Sequence, residues 1–171
     1  VAAAGAQRRH RRGVDLDRER ALAVVLVAVP GRVRDLHALL LADRELDPLA
    51  PFPHAMTGLG LLASRRVEES VRSFDHALSF DKENSLALWG SGAANVALGR
   101  YEQGIALLEK AVTQTRRGSF VLGILGWALA AGGRREEARA VLAELRARPE
   151  PAPAVVSEVW LLAALGDVEG A

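Results

Sequence analysis

The chain contains no cysteine. Disulfides, thiolate nucleophiles and cysteine-ligated metals are therefore excluded, while the compartment is left open. Lysine occurs only as Lys82 and Lys110, so arginine carries nearly all the positive charge, which reads as coding bias. Aromatic residues make up 5% of the chain, so the position of each ring is informative. The formal net charge is +1, which supplies no global basic field for nucleic acid and no acidic tail. The strongest apolar run, ALAVVLVAV at residues 21–29, falls far short of the roughly 20 residues that span a bilayer. Residues 1–6 are too short for the apolar part of a signal peptide, and arginines follow directly. A soluble, cytoplasmic chain without membrane contact is expected. It begins at Val1 rather than methionine and ends at Ala171, so both ends read as cut.

Half of the sequence is apolar, enough for a core, and much of that is Ala and Leu, which favours helix over strand. A glycine supplies a ruler. Gly99 opens Gly99-Arg100-Tyr101-Glu102, and Gly133 opens Gly133-Arg134-Arg135-Glu136, a step of 133 − 99 = 34. Gly166 follows 33 residues later, and Arg65-Arg66-Val67-Glu68 stands 34 before Gly99 with arginine in place of glycine. A fixed period of this size is the signature of a stacked helical array. Seven residues before the turn come Gly58, Gly92 and Gly126; five after it come Ser70, Gly104 and Ala138. Glycine inside a helix costs up to about 1 kcal/mol relative to alanine, so this phase implies close packing of two helices.

The pattern resembles the tetratricopeptide repeat, a 34-residue helix–turn–helix written W-x2-L-G-x2-Y, then A-x3-F, then P. Leu125-Gly126 supplies the L-G pair, Ala138 the alanine, and Ser70-Val71-Arg72-Ser73-Phe74 a near match to A-x3-F. The tryptophan is displaced by one at Trp89, the tyrosine position holds Leu61, Asn95, Leu129 and Leu162, and the closing proline is clear only at Pro48. The resemblance covers residues 46–171. It implies an all-α fold, a right-handed α-solenoid of antiparallel hairpins.

The expected units are degenerate helical repeats over 1–50, repeats at 51–84, 85–118 and 119–151, and a truncated repeat at 152–171. Asn84 or Ser85 is expected to cap the central repeat, with Gly118 just beyond its C-terminus. Residues 21–29 read either as a helix of a shortened repeat or as a buried strand. A strand would make residues 1–47 the remnant of a catalytic or DNA-binding effector domain. The exposed final hairpin lacks a polar cap, so dimerisation there is an option.

No chemistry-bearing constellation stands out. Gly58-Leu59-Gly60-Leu61-Leu62-Ala63 matches G-x-G-x-x-A, but a preceding strand is required and Pro51 begins a helix. His10, His37, His54 and His76 are scattered without metal-ligand spacing and read as surface or groove-edge residues. Glu68-Glu69 and Glu136-Glu137 fall in first turns of helices, where negative charge suits the dipole. Arg8-Arg9-His10-Arg11-Arg12 reads as a solvated helix face; nucleic-acid binding, the alternative, would show as salt-dependent affinity. Neither an enzyme nor a cofactor is expected.

All three tryptophans lie in the first helices of their repeats. In tetratricopeptide arrays those helices line the concave groove. The resemblance therefore implies an apolar wall of Phe52, Leu59, Trp89, Phe120, Trp127 and Trp160 that binds a peptide or protein segment; packing between repeats is the competing role. A carboxylate clamp, known in one subclass, is not expected, because the corresponding positions hold Ala55, Leu59, Trp89 and Ala93. Residues 99–167 also resemble the repeat tails of bacterial signalling proteins, which follow winged-helix, nucleotide cyclase or protein kinase domains. That implies a sensory or regulatory role within a larger protein.

Overall fold

In a computed structural model the described residues are 50–148, 161, 162 and 164–166. They form six helices: α1 (Pro51–Ala63), α2 (Val67–Phe80), α3 (Ser85–Ala97), α4 (Tyr101–Gln114), α5 (Ser119–Ala131) and α6 (Arg135–Arg146). Among the described residues there is no strand. Residues 1–49, which include the 21–29 run, the arginine cluster and the effector-remnant alternative, lie outside the described residues, as do Trp160 and most of the expected final hairpin.

The helices pack pairwise, α1 on α2, α3 on α4 and α5 on α6. Each pair is joined by one turn design. Arg65, Gly99 and Gly133 take left-handed φ values of 60°, 78° and 82°. The next residue's N–H then reaches back five residues, Arg66 to Leu61, Arg100 to Asn95 and Arg134 to Leu129, at 2.8–2.9 Å. That bond satisfies a carbonyl the helix end leaves free. Glycine takes the left-handed conformation without penalty, and arginine does so at about 1 kcal/mol or more.

The small-residue phase does what close packing requires. A Cβ built on Gly104 would lie 2.7 Å from the Gly92 carbonyl oxygen, so α3 and α4 meet backbone to backbone. Ser70 and Ala138, at the corresponding positions, are fully buried. Between α1 and α2, Ser73 donates to the His54 carbonyl at 2.8 Å. The pairs are themselves stacked. The ring of Phe74 on α2 lies against Gly58 of its own pair and against Gly90 of the next.

Helix ends follow local chemistry. Pro51 and Pro53 open α1, where a missing N–H is harmless. Asn84 Oδ1 accepts from Ala87 N–H at 3.0 Å and caps α3. At the end of α4 the expected terminal glycine is a correction: Arg116 and Arg117 take the left-handed conformation, with φ 51° and 59°, and Gly118 is instead the N-cap of α5. Two clasps hold Arg117 there. Its guanidinium donates to Glu144 at 2.9 and 2.5 Å, and its carbonyl accepts from Arg148 at 2.6 Å. Residues 161, 162, 164 and 165 are helical, and Leu161 meets Gly126 of the third pair.

Candidate functional site

Charge is divided between the two layers of helices. None of the 13-residue first helices α1, α3 and α5 contains Lys, Arg, Asp or Glu. The charged residues sit on the second helices and the turns. Arg66 is paired with Glu69, Arg134 with Glu137, and Arg139 with Glu136, each three residues apart. Hence Glu69 at the start of α2, and Glu136 and Glu137 at the start of α6, are held in exposed ion pairs. The Arg117 and Arg148 guanidiniums hold the Glu144 carboxyl at about 2, well below the usual carboxylate range, Arg117 being the stronger partner.

The first helices also touch one another, α1 with α3 and α3 with α5, so they form a continuous apolar layer. The structure distributes the expected wall residues unequally along it. Phe52 is 54% exposed. Trp89 and Phe120 are half-buried and meet edge to face, with ring centroids 5.4 Å apart, which joins α3 to α5. Leu59 and Trp127, at 7% and 5% exposure, are core residues in this fold. Trp160 lies outside the described residues.

One residue of this edge escapes a reading based on aromatics. Leu86 is half-buried and packs beside the core. It stands 34 after Phe52 and 34 before Phe120, since 86 − 52 = 34 and 120 − 86 = 34. The repeat ruler could have found it. Phe52, Leu86 and Phe120 are the second residues of their helices, and Trp89 lies one turn further along α3. These four make an apolar edge with open surface.

A polar seam crosses between the first two pairs. Ser91 Oγ donates to Asp75 Oδ1 at 3.5 Å, Asn95 donates to the Ser91 carbonyl at 2.9 Å, and Arg100 donates to Asn95 Oδ1 at 3.4 Å. Burial pushes the Asp75 carboxyl up, against the Ser91 hydrogen bond and the Arg100 charge. Among the described residues no buried side-chain polar atom lacks a partner, so the seam reads as a register device between pairs.

His76 is exposed, but buried His54 departs from the expectation of surface or groove-edge histidines. It is buried at the position that Leu88 and Leu122 occupy in the later pairs, because the rings of His76 and Phe80 cover it, at centroid distances of 4.2 and 5.8 Å. Among the described residues no group of three or more His, Cys, Asp or Glu could hold a metal ion. No helix among them is long and apolar enough to cross a membrane. No protein-family model matches the chain, and no curated protein or solved structure matches it.

Proposed function

We propose that this chain is a non-catalytic interaction module, a right-handed superhelix of tetratricopeptide type, which binds an apolar or amphipathic segment of another protein along Phe52, Leu86, Trp89 and Phe120. The observation that carries this reading is the uncharged first-helix layer that leaves Trp89 and Phe120 partly open. Such a surface has no cation for a carboxylate or phosphate, so recognition rests on burying apolar area, about 25 cal/mol per Å². Tryptophan is a frequent anchor in such contacts. The module would serve as the sensory or regulatory part of a larger protein, with a segment of that same protein as an alternative ligand.

Leu86→Glu tests this. A charge at a half-exposed position leaves the core intact, so the variant should keep wild-type helicity by far-UV circular dichroism. Against fluorescently labelled amphipathic peptides with Leu or Phe at i, i+3 and i+7, wild type should bind, and the variant should bind at least about tenfold more weakly, equivalent to about 1.4 kcal/mol. Equal affinity for every peptide that binds wild type would remove the edge from consideration.

A further inference from the structure

We infer that the occupant of the apolar edge is a proline-rich segment of a partner protein in the polyproline II conformation, held by hydrogen bonds from the indole N–H groups of Trp89 and Trp127 to its main-chain carbonyls. This rests on the edge being a binding surface, and it names the backbone chemistry that such a surface selects. Other polar side chains of the first helices already donate within the chain. Thr57 donates to the Pro53 carbonyl at 2.8 Å, Ser91 to Asp75 at 3.5 Å and Asn95 to the Ser91 carbonyl at 2.9 Å. Among the described residues, neither Trp89 nor Trp127 has an acceptor for its Nε1–H, and no buried side-chain nitrogen there lacks a partner. Both N–H groups are therefore in reach of solvent, although Trp127 is only 5% exposed as a whole. Trp127 lies two turns beyond Phe120 on the same face of α5, and Trp89 meets Phe120 edge to face.

A segment that covers these donors removes their water, so it has to bring acceptors, since a buried donor left unpaired costs more than the bond itself contributes. The acceptors are neutral. No Lys or Arg stands in α1, α3 or α5 to pair a carboxylate, and an unpaired charge on an apolar wall is costly. Main-chain carbonyls meet this requirement only where the ligand's own secondary structure leaves them free. An α-helix spends its carbonyls on its own hydrogen bonds, so it would cover the indoles without answering them. A β-strand frees them at an edge, but its side chains return to one side every second residue, about 7 Å. Polyproline II has no internal hydrogen bonds and returns after three residues, about 9 Å. That step matches the array. Phe52, Leu86 and Phe120 recur once per first helix, and packed helices stand about 8–10 Å apart. One apolar residue per turn of the ligand then meets one first helix, in the aromatic-lined setting that holds preformed proline-rich segments.

Two fluorescein-labelled peptides, titrated into the full chain and followed by anisotropy, make the test. One consists of Leu-Pro-Pro repeats, and the other is a helical peptide with Leu at i, i+3 and i+7. The proline-rich peptide should bind at least about tenfold more tightly than the helical one. The titrations are repeated with Trp89→3-benzothienylalanine, which keeps the shape of the ring and replaces its N–H by sulfur. The proline-rich affinity should then fall about fivefold, while the helical affinity should stay within about twofold. Equal or tighter binding of the helical peptide would overturn the inference and leave the edge as a binding surface. A proline-rich affinity untouched by the sulfur isostere would do the same. Binding of neither peptide, in a chain of normal helicity, would overturn the edge itself and this inference with it. Should the isostere disturb folding, Trp127→3-benzothienylalanine applies the same deletion at the second donor, and the wild-type comparison of the two peptides still decides.

Discussion

Gly133 and Gly60 both have space for a methyl group, yet opposite responses to alanine are expected. Gly133 holds φ at 82° with nothing within 4 Å of a built Cβ, so Gly133→Ala isolates the left-handed penalty and should destabilise by about 1 kcal/mol. Gly60 is helical and equally open, so Gly60→Ala should stabilise by up to about 1 kcal/mol. Gly104→Ala should be the most damaging of the three, by about 1–3 kcal/mol, because its Cβ would meet the Gly92 carbonyl oxygen and the Val96 backbone nitrogen as well as the Val96 side chain. Urea unfolding midpoints of the three variants check this order. Gly133 and Gly104 were legible in the sequence, since each falls at a repeated phase of the ruler; Gly60 does not. His54 was not. A lone histidine carries no sign of burial until His76 and Phe80 are brought around it by the antiparallel fold.

Helices in this array are held by shared residues more than by their own propensity. Phe74 contacts two glycines on two different helix pairs, so Phe74→Ala should loosen both interfaces and cost about 3–5 kcal/mol in thermal or urea unfolding. The clasp of Arg117 and Arg148 on Glu144 links the start of α5 to the end of α6. The Glu144 carboxyl is depressed to about 2 in the folded chain, so its contribution is present above the ordinary carboxylate range and is lost as pH falls from about 4.5 towards 2. The pair is partly solvated, so screening limits the effect to about 1 kcal/mol. Wild type should therefore lose more stability than Glu144→Gln over that interval, measured as the difference in urea midpoint at pH 5 and pH 3. Helix boundaries were readable because Pro51, Asn84 and the turn glycines act locally. The end of α4 was not, because Arg117 takes its conformation with help from Glu144, 27 residues away.

At the scale of the molecule, the 34-residue ruler places the helical pairs, and the all-helical fold of the described residues agrees with it. The proposed edge was only half legible. Aromaticity and groove phase pointed to five aromatic residues and Leu59, but neighbour packing decides exposure, and it puts Leu59 and Trp127 in the core while leaving Leu86 partly open. The absence of charge from three first helices is a plainer signal, visible in sequence once the pairs are aligned. The claim that this layer binds an apolar segment comes down to Trp89. In a chain carrying Trp127→Phe and Trp160→Phe, Trp89 is the sole indole, and its emission can be followed while amphipathic peptide is added. A saturable blue shift, with a midpoint that matches binding seen by peptide anisotropy and weakens when Phe120→Ala is added, is the predicted result. Peptide binding by anisotropy with Trp89 emission unchanged, or no binding by any peptide of this chemistry, would contradict it.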